Sequence, residues 1–461
     1  MKKSFLNIFK VQNLFLIMCL FWGTVFLFLN PPFQAPDEDA HFFKMYGFTT
    51  GSLNFKKENG YGGQILPESF INIQKYFDYI RLEEKNKTSL REIEIVSSVE
   101  LKPDNVAFHR FIPTWYTPLS YFPSFIVLWL LKLLNVKPLF MIYIMRYCSL
   151  LTYMALMYGA ICLTPVKKWL FFTIGLLPLC VYQAGAISTD GLTFGLGFLL
   201  VAYTLRLKLT GKPDEKIGKK QIIFWGLIFI YLCFCKYAYF PLGILYLLLP
   251  KSKFESEKLY WLGFWGVNLV NLFVISVFLS INFRITDGMI TELTARTVSK
   301  TVLIKQILQN PVEYLYNVAY TTKRMFGLYL DTMVSCFGWT ITRIPKFLTN
   351  IYYLLIFAAL SYNSTAEQEP VQILTLKDKL LAVCGIVMSY LIIITSVFLL
   401  YQNHTLIFGV QGRYLTIFMI PAALVFTSKY TLKSKAVPVL IAVVSNVLMF
   451  ASLLTMIGRF Y

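Results

Sequence analysis

Charge is what this chain has least of. Only 15% of its 461 residues are Asp, Glu, Lys or Arg, against about 25% in an ordinary soluble domain. Acids are scarcer than bases, 24 against 43, and there are 3 histidines. No phosphate-binding glycine loop, dinucleotide fingerprint or serine-histidine-aspartate order occurs, which argues against energy coupling through a bound nucleotide. The cysteines show no metal-ligand spacing, because Cys233 and Cys235 have no second pair. Cys19, Cys148, Cys162, Cys180 and Cys384 also fall in apolar segments, and all read as small apolar residues. No repeat or low-complexity tract is evident. No small-x-small cleavage site follows the apolar stretch Val11–Leu29, so a retained first helix is expected there instead of a signal peptide.

What the chain has in excess is apolar surface, with 57% hydrophobic residues. Leu259–Ile281 and Ala436–Ile457 carry no charge and are each long enough to cross about 30 Å of hydrocarbon. Such runs recur along the chain, so an all-α polytopic membrane protein is expected, folded as one integral membrane domain over 1–461. A net charge of +19 would suggest nucleic acid in a soluble protein. Here the lysines sit in short loops, where they report topology. Anionic lipid headgroups or a phosphorylated lipid are the partners this charge suits, and nucleic acid is not expected.

Lys2, Lys3 and Lys10 place the N-terminus in the cytoplasm and Pro31 outside. A first outer loop then covers 31–138, with a polar middle (Lys56–Lys102) and an amphipathic stretch, Ile65–Ile80, that could lie on the membrane surface. Thr117–Leu134 is apolar but holds Pro118 and Pro123. Read as juxtamembrane, it leaves Lys167, Lys168, Lys212–Lys220, Lys251, Lys253, Lys258, Lys429, Lys433 and Lys435 all inside. About eleven spans result, near 11–30, 139–163, 169–187, 191–209, 221–235, 237–250, 259–281, 347–361, 379–401, 410–427 and 436–457. A second outer loop, 282–346, reads as helices around Asn310-Pro311, with Pro311 at a helix start.

The first outer loop opens Pro36-Asp37-Glu38-Asp39-Ala40-His41. Asp37 can cap a helix beginning at Glu38, with the other acids favouring its first turn. Alternatively, a carboxylate here serves as general base, or ligates a divalent cation with His41 one turn away. Asp190, in Ser188-Thr189-Asp190, is a helix cap or a second acid at the same face. Lys236 and Arg413 either snorkel or neutralise a phosphate, with Gly412 allowing close approach. Arg146, His109-Arg110 and His404 are weaker candidates.

Pro36-Asp37-Glu38 with His41-Phe42, directly after the first helix, resembles the acidic motif of the GT-C superfamily of lipid-linked-sugar glycosyltransferases. Tyr116-Thr117-Pro118-Leu119-Ser120-Tyr121, Gln183 to Asp190, Lys236-Tyr237-Ala238-Tyr239 and Gln411-Gly412-Arg413-Tyr414 resemble, in order, a bacterial branch catalogued as domain of unknown function 2142. The resemblance implies a GT-C-like fold in a bacterial inner membrane, with juxtamembrane helices in the first outer loop. It implies an inverting transferase moving sugar from a polyprenyl-phosphate donor to a glycan or lipid acceptor of the cell envelope. Asp37 or Glu38 would be the base, and His41, Asp190, Lys236, Tyr239, Gln411 and Arg413 would bind substrate. No cofactor is required, though the acids leave room for Mg or Mn. The alternatives from other classes are a transporter, flippase or polymerase for lipid-linked glycans, and a membrane scaffold.

Overall fold

The computed structural model describes residues 10–53, 55–111, 116–210, 216–286, 300–363, 373–401, 406–427 and 431–461. Lys2, Lys3, Lys212, Lys429, His404 and part of the second outer loop lie outside them. Among the described residues, six helices are long and apolar enough to cross a membrane: Val11–Leu29, Pro138–Leu163, Asp190–Leu209, Glu257–Ile281, Leu376–Leu400 and Ala436–Phe460. Of the other expected spans, 221–235 and 347–361 fall on unbroken helices of 17 and 16 residues, and the rest on broken or 3₁₀ segments.

The segment expected at 169–187 is two helices, Lys168–Gly175 and Pro178–Ala184. Pro178 has no N–H, and the residue before a proline avoids the helical region, so the helix breaks at Leu176-Leu177. The Tyr153 hydroxyl donates to the Gly175 carbonyl at 2.7 Å. That bond satisfies an acceptor which a break at membrane depth would otherwise orphan. Tyr237–Leu248 forms a 3₁₀ helix of 12 residues containing Pro241. At about 2.0 Å rise per residue it reaches about 24 Å, where an α-helix of that length reaches about 18 Å. Gly412–Val425 alternates α, 3₁₀ and α turns.

The bundle has two ends, defined by contacts. At one, Lys208 pairs with Asp378 at 2.9 Å and Lys379 donates to the Thr427 carbonyl. Lys253 reaches the Leu207 carbonyl and Lys167 the Tyr362 carbonyl. At the other end the Thr88 N–H donates to the Phe460 carbonyl at 2.7 Å, tying the first outer loop to the last helix. Trp339 Nε1 reaches the Phe33 carbonyl there, joining the second loop to the first.

The described residues are mostly helical, as the all-α expectation has it, and their few strands lie in the first loop. It contains a three-stranded antiparallel sheet, β1 (Lys56–Glu58), β2 (Tyr61–Pro67) and β3 (Val106–Arg110). Glu58 pairs with Tyr61 across Asn59-Gly60, whose φ values are 50° and 86°. Positive φ at both central residues is the turn that matches strand twist, and Asn-Gly is its preferred sequence. Ile65–Ile80, expected as one amphipathic stretch, divides between a strand and helical turns. Its first residues are in β2, and the helix Glu68–Tyr76 turns Phe70 inward, 4.9 Å from Phe42 and 4.8 Å from Tyr46. Its apolar face is buried against protein. Ser124–Leu133 is a helix of 10 residues, about half the length a span needs. Pro311 stands at the first position of the helix Pro311–Val334, as expected.

Candidate active site

A helix does begin at Glu38, running to Thr49. Asp37 precedes it with φ 61° and its side chain makes no capping bond. The left-handed region is uncommon outside glycine and is best tolerated by Asn and Asp. Held there, Asp37 turns its carboxylate away from the helix and pairs with the Arg413 guanidinium. The capping reading of Asp37 therefore fails on geometry. Asp190 opens its helix, also without a capping bond from its neighbour Thr189. Its Oδ2 accepts from Arg413 Nη1 at 3.0 Å, and its Oδ1 pairs with Lys236.

Asp37, Arg413, Asp190 and Lys236 thus form one continuous chain of alternating charge, drawn from four separate parts of the sequence. Its middle is sealed and its ends are more open. The side chains of Asp190 and Arg413 are 2% and 4% exposed, against 16% for Lys236 and 37% for Asp37. Gln411 Oε1 accepts from Arg413 Nε at 2.6 Å. Tyr414 lies under both cations, its ring 4.6 Å from Lys236 Nζ and 5.0 Å from the Arg413 guanidinium carbon. Tyr239 is fully buried behind the cluster, its hydroxyl donating to the Tyr414 carbonyl at 2.9 Å. It supports the site from outside the charge chain. Gly412 is needed for packing, because a Cβ there would collide with the backbone of Thr332 and Met333. The close approach expected at this glycine is to protein, not to a ligand.

Burial alone would raise the Asp37 carboxyl. The Arg413 charge and hydrogen bond outweigh it, and hold the group below its ordinary value. His41 is also buried. Burial drives its imidazole down to about 4, with Asp37 and Asp190 pulling the other way, so it is neutral near pH 7. Its Nδ1 is 2.8 Å from the Tyr121 hydroxyl, and its ring lies 5.1 Å from that of Tyr116.

Glu38 takes no part in this cluster. It is fully buried and pairs with Arg146, Nε to Oε1 at 2.7 Å and Nη2 to Oε2 at 2.6 Å. The remaining Arg146 donors go to the carbonyls of Leu27, Asn30 and Pro31, and the Ile187 N–H adds a third bond to Glu38. Asp39 pairs with Arg81 at 2.7 Å, whose guanidinium stacks 3.6 Å from the Trp339 ring. Burial leaves the Asp39 carboxyl raised despite that partner. His109 and Arg110 lie on β3 against Phe43 and Tyr61. Sequence reasoning singled out Arg146 but missed its partner. An arginine inside an apolar helix demands a buried anion, and that was the usable signal.

Among the described residues no group of three or more His, Cys, Asp or Glu converges in a way that could hold a metal ion. Asp37 and Asp190 already share two cations, so the cluster offers no surplus negative charge to a divalent ion. The residues present do not fit Mg or Mn in this arrangement. What they can do is accept a proton at Asp37 and neutralise an anion at Lys236.

No curated protein and no solved structure matches the chain. The sequence model of one family, described as predicted membrane protein (DUF2142), matches residues 20–420. That span takes in every residue of the charged cluster, and the chain belongs to this family of membrane proteins.

Proposed function

We propose that this chain is an inverting glycosyltransferase of the bacterial inner membrane, of GT-C-like architecture. Its donor is a sugar on a polyprenyl phosphate, and its acceptor is a hydroxyl of a cell-envelope glycan or lipid. The reading includes about eleven membrane passes, with the N-terminus cytoplasmic and the charged cluster at the outer end. It is supported by the grouping of Lys167, Lys208, Lys253 and Lys379 at the opposite end of the bundle. The positive-inside rule makes that end cytoplasmic.

The observation that carries the reading is the openness of Asp37, the only partly exposed carboxylate of the cluster. In the reaction, an Asp37 oxygen takes the acceptor hydroxyl proton while the acceptor oxygen bonds to the sugar C1. The C1–O bond to phosphate breaks on the opposite face, which inverts C1. The electron pair leaves on phosphate, and the departing polyprenyl phosphate gains one negative charge beside Lys236 and Arg413. Preorganised cations at developing charge are a major source of rate enhancement. Glu38 is assigned no chemical role, because Arg146 and the Ile187 N–H occupy its oxygens.

The test is transfer from radiolabelled polyprenyl-phosphate sugars in membranes holding wild type or Asp37→Asn. The loss of general-base catalysis is worth about 10²–10⁴-fold in rate. Normal transfer by a well-expressed Asp37→Asn protein removes the base assignment.

A further inference from the structure

An arginine has five N–H donors, and every one of Arg413's is in use. Nε bonds Gln411, Nη1 bonds the Pro36 carbonyl and Asp190, and Nη2 bonds Asp37 and the Tyr414 hydroxyl. Arg413 therefore cannot receive a phosphate until it releases a partner. Asp190 is a poor candidate for release, being 2% exposed and clamped by Lys236 as well. The Pro36 carbonyl and the Tyr414 hydroxyl carry no charge that an incoming anion would displace. Asp37 does carry one, and it is the partner that faces outward. Lys236 differs, since an ammonium has three donors and its ion pair is with one oxygen of Asp190.

We propose that Arg413 is a latch on Asp37 which the phosphate of the donor opens, so that the base is released only once the donor has bound. This rests on the glycosyltransferase reading and adds an order to it: donor first, acceptor second. Lys236 meets the phosphate, and Arg413 then exchanges one anion, Asp37, for another. Charge balance drives the exchange. Two carboxylates and two cations are neutral together, so an added phosphate leaves one negative charge in excess. That excess raises the proton affinity of the freed Asp37 carboxylate, and when Asp37 takes the acceptor hydroxyl proton the charge it loses reappears on the departing phosphate, so the total is unchanged. Without donor the carboxylate stays paired, which also keeps it from activating water.

The experiment reads Asp37 directly and needs no turnover. Full-length protein in neutral-lipid vesicles is treated with a hydrophobic carbodiimide, which modifies protonated carboxyls, and labelling at Asp37 is followed by mass spectrometry. A sugar-free polyprenyl phosphate is added in one arm, the uncharged polyprenol in a second and inorganic phosphate in a third. Binding of each is measured in parallel. Polyprenyl phosphate is expected to raise Asp37 labelling about tenfold or more, which is one unit of proton affinity, while polyprenol leaves it unchanged and Glu38 stays unlabelled. Arg413→Gln is expected to label at the high rate with nothing added. A rise with inorganic phosphate as well supports a latch sensitive to the anion alone, and a rise only with the lipid supports one sensitive to an anion presented from the membrane. If polyprenyl phosphate binds and labelling does not change, the latch is overturned and the transferase reading stands. If polyprenyl phosphate does not bind, both fall.

Discussion

Asp37 and Glu38 are neighbours in sequence, and each is paired with an arginine from a distant helix, yet the two pairs have opposite characters. Arg146 and Glu38 are both 0% exposed, and all five Arg146 donors end on fixed protein acceptors. Arg413 is equally saturated, but its partner Asp37 is 37% exposed. The first pair ties the end of the first helix to the start of the next, on either side of the left-handed turn at Asp37. The second pair presents a carboxylate to the outside. A one-residue step across a helix start thus separates a sealed carboxylate from a partly exposed one, because the left-handed backbone at Asp37 sends the two side chains in different directions.

The largest way to test that division is to break the sealed pair. Removing one partner of a buried ion pair strands the other and costs about 3–5 kcal/mol. Glu38→Gln or Arg146→Met is expected to lower thermal stability in detergent by that order, with loss of folded protein from the membrane. The double variant Glu38→Leu/Arg146→Met is expected to lose less than the sum of the singles. Wild-type stability in Glu38→Gln would mean that the pair is not an anchor.

A smaller effect separates the two arginines. Lysine has three donors against arginine's five, so Arg146→Lys must leave buried carbonyls unpaired at about 1–3 kcal/mol each. Arg413→Lys keeps a charge beside Asp190 and releases partners of which Asp37, Gln411 and Tyr414 are partly exposed, so it is expected to lose less stability than Arg146→Lys while slowing transfer. Equal destabilisation of the two variants, measured by thermal unfolding, would erase the contrast.

The long apolar helices were legible because their signal is length and composition, so Pro138–Leu163 and Ala436–Phe460 sit within a few residues of the expected spans. The broken segment at Leu176-Leu177 was not read, although Pro178 announces it. The sheet was overlooked because Asn59-Gly60 was passed over in a loop expected to be helical. Asp37, Asp190, Lys236 and Arg413 were all named from the sequence as site candidates, and the structure joins them into one chain. The division of labour between Asp37 and Glu38 was illegible. It depends on a backbone dihedral and on Arg146, which lies 108 positions away from Glu38.

The Asp37 pair itself is expected to contribute little to stability, since a partly exposed pair is worth about 0–1 kcal/mol. Asn tolerates the left-handed region as Asp does, so Asp37→Asn is expected to unfold within about 1 kcal/mol of wild type while transfer collapses. A large stability loss in Asp37→Asn would place it with Glu38 as an anchor.

The mildest test uses pH and the histidine beside the charged cluster. His41 is held neutral, its imidazole lowered from 6.5 to about 4 by burial. The unfolded chain takes up a proton as pH falls below about 6.5, whereas the folded chain does so only near 4. The unfolded state therefore binds more protons in this window, and stability falls as pH drops through it. At neutral pH the contribution is fully present, and below about 4 it is gone. His109 is lowered to about 4 as well, chiefly by burial, so it adds to the same slope from the sheet, away from the cluster. His41→Gln and His109→Gln should each flatten the loss of stability between pH 6.5 and 4. Only His41 touches the cluster's field, through Asp37, Asp190, Arg413 and Lys236. The pH dependence of transfer should therefore shift in His41→Gln and stay unchanged in His109→Gln. An equal shift in both would show that the acid limb reports the folding of the outer loop and not the state of the cluster.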